Sequence, residues 1–239
     1  MAVKQLRPTR SSSAADFARE ILINIYLRDH PNIPECIGAC LDEQHLTLVM
    51  EKMEGSLEQK LCTERLYTEC YDQPEVIKML MEACSAVHYM HAKRVVHRDI
   101  AARNFLIGKG LKVYICDFGM SLYLPEGKGY GHVSPFGPVA WMAPEAIKTG
   151  EFSFKTDIYM FGIMLVEIFR RGKPYGEATT AGLELARKVC DEGLRPTHDP
   201  KWPDTLKDLI NACLQEDPTE RPKDMKEVKL KIKINLFSY

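Results

Sequence analysis

No charge of one sign dominates this 239-residue sequence, in which 32 Lys and Arg stand against 33 Asp and Glu. That balance argues against wholesale capture of nucleic acid or an anionic membrane surface, and neither is expected as a partner. Long hydrophobic runs are missing too. The strongest candidate, "IYMFGIMLVEIF" from Ile158, is interrupted by Gly162 and Glu167, and it falls short of the roughly 20 apolar residues a spanning helix needs. The opening "MAVKQLRPTRSSS" turns polar at once, without the apolar core of a secretory leader. These absences lead to the expectation of an intracellular, cytoplasmic protein with no membrane segment. Cysteine is present but unpatterned: the eight residues form no CxxC pair, and Cys36 and Cys40 have no His pair at metal-ligand spacing. A zinc site or a disulfide framework is therefore unsupported, and the cysteines read as small core or surface residues in a reducing compartment. Internal repeats and low-complexity segments are also absent.

What is present is an ordinary globular composition, 45% apolar and 27% charged, in a chain long enough for one large or two small domains. The first 50 residues mix strand-like pieces with one helix. In "SSSAADFAREILINIYLRD", Ser11 to Ser13 are capping candidates, and Phe17, Ile21 and Ile25 mark an apolar face at four-residue spacing with Glu20 beside it. "HPNIPECIGAC" breaks the helix with two prolines, and "HLTLVME" reads as a buried strand. After "EGS" at 54 to 56 the character is mainly helical. Pro74 starts a helix that carries Ile77, Leu80, Met81, Cys84, Val87 and His88 toward a core, and "TDIYMFGIMLVEIFR" is apolar nearly all round, as a central buried helix should be. Between these two helices, from Val96 to Pro144, lies a stretch rich in turns and polar groups, expected to be a long functional loop across a helical body.

The chemistry concentrates there. In "VVHRDIAARNFLIG", Asp99 can accept the proton of an attacking hydroxyl, and Asn104, five residues on, can hold a divalent metal from the same loop. In "VYICDFGMSL", Asp117 offers a second hard oxygen ligand of the kind Mg²⁺ requires. Either piece alone reads more simply as turn formers. In this order, and followed by "WMAPEAI" at 141 to 147, they resemble the protein kinase family along essentially the whole chain.

That resemblance implies an α+β, two-lobed fold with a truncated β-rich N-lobe and a mainly helical C-lobe. It implies a single kinase domain over 1–239, with residues 1–53 as partial N-lobe and hinge and 54–239 as C-lobe. It implies ATP and Mg²⁺ (or Mn²⁺) as cofactors and a protein carrying the acceptor hydroxyl as partner. "MAVK" is similar to the family's lysine strand, so Lys4 would contact the phosphates, with Glu20 its ion-pair partner on a mobile helix. "LVMEKMEGSL" is similar to the hinge, with Met50 as gatekeeper and the backbone of Glu51 to Met53 facing adenine. Asp157 resembles the aspartate that anchors the catalytic loop, and Glu145 with Arg221 resembles the family's buried ion pair, structural positions where an unpaired charge would be costly.

The variant "DIAARN" resembles the tyrosine-kinase group: Ala101 stands where serine/threonine kinases usually carry Lys, and the cation moves to Arg103. Pro138 and Trp141 in "GPVAWMAPE" resemble that group's substrate segment. Ala140, Leu122 and "TDIYMFG" depart from its pattern without removing a catalytic group. A protein tyrosine kinase is therefore expected, with a tyrosine-kinase-like enzyme acting on serine or threonine as the alternative. The segment from Asp117 to Glu145 takes the place of an activation loop, and phosphorylated Tyr130, in the glycine-rich and exposed "GKGYGHV", would pair with Arg98. "GKGYG" follows DFG and so reads as a flexible loop, not a nucleotide lid. The family's GxGxxGxV precedes the lysine strand, and only three residues precede Lys4. The expected consequences are an exposed edge on the lysine strand and two open functional classes. One is a kinase, weakly active as it stands or part of a longer enzyme; the other is a kinase-fold module that binds without turnover.

Overall fold

Three short strands in the first fifty positions, AVKQ, CIGAC and TLVM, build a small antiparallel sheet. In the computed structural model, which describes residues 1–5, 14–40, 42, 46–64, 73–133, 137–176 and 182–236, β1 (Ala2–Gln5) and β2 (Cys36–Cys40) both pair antiparallel with β3 (Thr47–Met50). Lys4 stands opposite Leu48 in this register. The helix α1 (Ala14–Leu27) packs on the sheet by closing Phe17 and Ile21 over Leu46 and Leu48. Ile25, expected on that face, is exposed, and Asn24 and Leu27 are buried instead. A four-residue step overshoots a 3.6-residue turn by about 40°, so two such steps carry Ile25 off the stripe that Phe17 starts. The capping candidates Ser11 to Ser13 lie outside the described residues.

Downstream come β4 (Gly55–Ser56), a wide helical turn over Glu58–Thr63, and α2 (Pro74–Ala92), with proline at its first turn where no backbone donor is lost. Helix α2 buries Ile77, Leu80, Cys84 and Val87 as expected, together with Val76, Met79, Ala83, Ala86 and Met90; Met81 and His88 are only half-buried. The polar stretch that follows is not one long loop. It folds as β5 (Val95–Val96), β6 (Phe105–Ile107), β7 (Val113–Ile115), β8 (Leu122–Tyr123) and β9 (Tyr130–His132). These make a three-stranded sheet β4-β6-β7 and a pair β5-β8, and β9 pairs with β10 (Glu151–Ser153), which follows α3 (Pro144–Thr149). Strands this short are hidden in sequence because two or three residues carry too little alternation to register. The second half of "GKGYG" therefore sits in β9 rather than in a free loop.

The helix α4 (Phe154–Arg170) is the centre of the larger lobe. Its start is fixed by a capping box: Ser153 Oγ accepts from the Lys155 N–H, and Thr156 Oγ1 accepts from the Ser153 N–H. Every residue from Thr156 to Phe169 is buried, and each large apolar side chain so removed from water stabilises the fold by about 1.5–3 kcal/mol. Around it stand α5 (Leu183–Asp191), α6 (Asp204–Cys213) and α7 (Met225–Leu236), α6 packing on α4 and α7 on α2. The result is an α+β two-lobed architecture, a small antiparallel-sheet lobe on a mainly helical one, as in protein kinases. No helix among the described residues is long and apolar enough to cross a membrane.

Close packing of α4 against α6 is measurable at Gly162, where an added Cβ would lie 2.7 Å from Cys213 Cβ and 3.0 Å from Leu214 Cδ2. Gly162→Ala is expected to destabilise the protein by about 1–3 kcal/mol through overpacking, despite the higher helix propensity of Ala. A urea unfolding midpoint equal to or above that of the parent would contradict this packing.

Candidate active site

A buried carboxylate organises the loop that carries Asp99. Asp157, in the first turn of α4, is fully buried and accepts from the backbone N–H of His97 (2.8 Å) and of Arg98 (3.0 Å). Its Oδ2 also lies 2.9 Å from His91 Nε2 on α2. Two backbone amides pointing at one carboxylate force a sharp path, and Arg98 adopts a left-handed conformation, φ 69°. The next residue is Asp99, whose N–H donates to His97 Nδ1 at 3.2 Å. His97 reaches the other way through Nε2 to the Cys116 carbonyl, 3.0 Å away.

Asp99 is flanked by its sequence neighbours. Arg103 Nη2 donates to Asp99 Oδ1, and Asn104 Nδ2 donates to Asp99 Oδ2 at 2.8 Å and to its carbonyl at 2.7 Å. The same β6-β7 ladder that follows Asn104 delivers Asp117: Phe105 pairs with Ile115, and the Cys116 N–H donates to the Asn104 carbonyl at 3.0 Å. Asp117 is left-handed as well, φ 63°, and Phe118 after it is buried edge-on against His97. Left-handed non-glycine residues thus stand at Arg98 and Asp117, at either end of the candidate catalytic segment.

Lys4 closes the constellation from the small lobe, with Nζ 2.5 Å from Glu20 Oε1 and 2.9 Å from Asp117 Oδ1. Burial opposes every charge here. It would lower the Lys4 ammonium, but the carboxylates of Asp117 and Glu20 outweigh it and raise that group. It would raise the Asp117 carboxyl, but Lys4 outweighs it and holds that group below its usual range. In Glu20, the most enclosed of the three, burial wins and lifts the carboxyl despite Lys4. Asp117 is thus ionised at neutral pH, and Lys4 is shared between a strong and a weaker acid.

The donor set fits a hard divalent cation held together with phosphates. Asn104 turns its amide nitrogen to Asp99, which leaves the amide oxygen as its ligating end, and Asp117 is an ionised carboxylate one ladder position away. At the hinge, the Glu51 N–H donates to the Glu35 carbonyl at 3.3 Å, whereas the Glu51 carbonyl and the Met53 N–H make no such bond among the described residues. Met50 faces α1, where Asn24 Nδ2 approaches its Sδ at 3.9 Å.

Other expected positions have structural partners. Arg221 makes a two-bond pair with Glu145, 2.6 and 2.9 Å, and also donates to the carbonyls of Gln215, Lys155 and Glu216. Tyr130 is exposed in β9. Arg98 is buried, donates to the Met120 carbonyl at 2.9 Å, stacks on Phe152, and makes no hydrogen bond, ion pair or ring contact with Tyr130. The structure therefore does not bring these two residues together in the unmodified chain. Sequence reasoning missed His91, His97 as a bridge, Asn24, and Glu167, a buried carboxylate on α4. For His91, Asn24 and Glu167 the signal was polarity inside apolar helices, which does not name a partner.

A family model described as protein tyrosine and serine/threonine kinase matches residues 1–232. The tyrosine-protein kinase transforming protein Fps of avian sarcoma virus (strain PRCII) is 33% identical over 228 residues, 93% of this chain and 41% of that protein. The serine/threonine-protein kinase STY46 of Arabidopsis thaliana is 31% identical over 231 residues, 95% of this chain and 39% of that protein. The human tyrosine-protein kinase Fer is 32% identical over 196 residues, 82% of this chain and 23% of that protein. The chain thus spans about two-fifths of the length of these relatives or less.

The ion triad has a pH signature. Removing Lys4 leaves the enclosed Glu20 carboxyl beside Asp117 with its main counter-charge gone, so its folded-state pKa should climb further. A carboxyl raised on folding favours the protonated protein, so stability falls as pH rises from the ordinary carboxylate value, 4.5, through the folded-state value. Lys4→Ala is expected to lose thermal stability from pH 5 to pH 8 more steeply than the parent. Parallel melting curves across that range would contradict the triad.

Proposed function

Because the chain belongs to the protein tyrosine and serine/threonine kinase family, we propose that it transfers the γ-phosphate of ATP to protein tyrosine hydroxyls. The observation that carries this reading is the constellation around Asp99: Arg103 and Asn104 hold its two oxygens, Asp117 lies one ladder position from Asn104, and Lys4 pairs with Asp117. Asp99 accepts the proton of the incoming hydroxyl as that oxygen bonds to the γ-phosphorus. The bond from phosphorus to the β-γ bridging oxygen breaks, and ADP leaves. Lys4, raised and protonated, meets the α- and β-phosphates, while Glu20 keeps it from collapsing onto Asp117 alone. When bound, Mg²⁺ neutralises phosphate charge; Asn104 and Asp117 are the residues that would hold it. The Glu51 carbonyl and the Met53 amide take the adenine edge. Residues 1–53 form the smaller lobe with its hinge and 54–239 the larger.

Support for tyrosine comes from Arg103. Its guanidinium lies 5.0 Å over the Trp141 ring while donating to Asp99, so one cation links the proton acceptor to the loop that Pro138 and Trp141 build. An acceptor linked to an aromatic platform suits a phenolic side chain, which can stack on it, better than a short hydroxyl. The serine/threonine reading is kept because STY46, at similar identity, is named a serine/threonine kinase.

Incorporation of phosphate into a poly-Glu-Tyr substrate, lost by a factor of about 10² or more in Asp99→Asn, is expected; equal rates in both proteins would overturn the assignment of Asp99. Preference for a serine or threonine peptide over its tyrosine counterpart would move the reading to the alternative. Tyr130, exposed in β9, is the proposed site of regulatory phosphorylation, and its phosphate would have to draw Arg98 out from Phe152. Mass spectrometry of active protein after incubation with ATP and Mg²⁺ is expected to find phosphate on Tyr130. Active protein modified only elsewhere would reject that role.

A further inference from the structure

The turn between α2 and β5 holds a cation that the phosphoryl-transfer scheme above does not use. Arg94 follows the end of α2 in a left-handed conformation, φ 64°, a position where glycine is the residue of least cost. A long side chain on such a backbone points to a use for that side chain. The guanidinium reaches the segment that runs from Asp117 to Glu145 and gathers three backbone carbonyls between Leu124 and Lys128. Nε donates to the Leu124 carbonyl at 3.1 Å, and Nη2 donates to the carbonyls of Pro125, at 2.9 Å, and of Lys128. These are its only hydrogen-bond partners among the described residues, and it lies 5.1 Å from the centre of the Phe154 ring. The backbone adds a further bond, from the Leu124 N–H to the Arg94 carbonyl at 2.8 Å.

The three carbonyls belong to the tip of one hairpin. The Lys128 N–H donates to the Pro125 carbonyl at 3.1 Å and closes the turn, in which Gly127 is left-handed, φ 79°. On the β9 side, Gly131 lets the two arms meet: an added Cβ would stand 2.6 Å from Leu122 Cδ2 and 3.2 Å from Leu124 Cδ2. Residues 125–130 are exposed, so apolar burial contributes little to ordering the tip, and the planar fork of Arg94 does so instead.

Building on the kinase reading, we propose that Arg94 is a positioning residue for the activation segment, holding its hairpin tip in place before any phosphate reaches Tyr130. Its partners are uncharged backbone groups, so the hold exists in the unmodified chain. Arg98 is engaged elsewhere, with the Met120 carbonyl and the Phe152 ring. Held at Lys128, the chain enters β9 in register with β10, Tyr130 opposite Ser153. The same segment presents Pro138 and Trp141 to the protein substrate, whereas ATP meets Lys4, Asn104 and Asp117. Loss of the hold therefore falls on the peptide and spares the nucleotide.

Trypsin reads the hold without any activity, because the bond it cuts after Lys128 belongs to the carbonyl that Arg94 grips. In the full chain treated with phosphatase, Arg94→Ala is expected to be cut at Lys128 about tenfold faster than the parent, since cleavage tracks the population of the open loop. Arg94→Lys keeps the charge but lacks the fork, and an intermediate rate is expected. In the same phosphatase-treated proteins, kcat/KM for a peptide substrate should fall about tenfold or more in Arg94→Ala. Arg94→Lys should recover part of that loss, and KM for ATP should be unchanged in both.

Equal cutting at Lys128 in the parent and Arg94→Ala overturns the hold. Unchanged peptide kinetics in Arg94→Ala, or an equal rise in KM for ATP, overturns the positioning role. Should Arg94→Ala fail to fold, Arg94→Lys carries both comparisons. A parent as inactive as Asp99→Asn overturns the kinase reading and with it the positioning role, while the cutting at Lys128 still decides whether the hold exists.

Discussion

The bonds to Asp157 are the constraint on which the rest of the site depends. A carboxylate with no exposure survives in the interior only if its lone pairs are used, and here two backbone amides and a histidine ring use them. Removing such a group and leaving its donors buried costs on the order of 3–5 kcal/mol, a large share of a domain's net stability. The same bonds dictate the left-handed turn at Arg98 and so the direction in which Asp99 leaves the core. Fold stability and the geometry of the candidate site are therefore one interaction at this point, and α4 must be capped in register at Ser153 for either to exist.

Charge is handled differently at the two other acidic centres. The Glu145 and Arg221 pair is closed: the arginine side chain has no exposure, and each of its nitrogens has a protein acceptor. Nothing in it is left to act on a ligand. The Lys4 triad is open, with Lys4 38% and Asp117 48% exposed at the side chain. Two carboxylates compete for one ammonium there, an arrangement with spare attraction for neither and ready to accept a polyanion in exchange. A neighbouring local conflict, the buried Asn24 Oδ1 with no partner among the described residues beside Met50, lies on the same helix as Glu20. Its amide lowers the stability of that helix's seat relative to an apolar residue, which suits a helix whose position decides whether Glu20 reaches Lys4.

The parts of the site legible from the residues alone are those that are contiguous, whereas Lys4 with Glu20, Asp157 and the Glu145–Arg221 pair were legible only through the kinase resemblance. Asp99, Arg103 and Asn104 sit within six residues, so their mutual hydrogen bonds follow from one turn of chain. Asp117 was legible because a short hairpin separates it from Asn104. The apolar core of α4 was plain for the same local reason. What was hidden depends on packing across the chain. Ile25 was misplaced because four-residue spacing was followed past the point where it leaves the helix face. Tyr130 of the activation segment was expected to meet Arg98 of the HRD triplet, but Arg98 stacks on Phe152, which β9 brings in by pairing with β10, a pairing of three residues with no periodicity to read. His91 and Glu167 were hidden because a polar residue in an apolar helix does not announce which loop it meets.

The hidden and the legible parts are joined by one element. Asp157 and Glu167 lie ten positions apart on α4, about 15 Å along the axis at 1.5 Å per residue. The first holds the catalytic loop before Asp99, at the His97 and Arg98 amides; the second holds it after Asp99, at the Ala102 amide. A five-residue segment pinned at both ends to the most buried helix of the protein has little freedom to reorganise. Preorganisation of that kind, rather than any unusual reactivity of Asp99 itself, is what a phosphoryl transfer needs, because the protein's share of that chemistry is positioning and electrostatics. The apolar run from Ile158 to Phe169 is interrupted by Glu167 for the same reason that it begins with Asp157 before it: each carboxylate is where a loop of the site is fastened to the core.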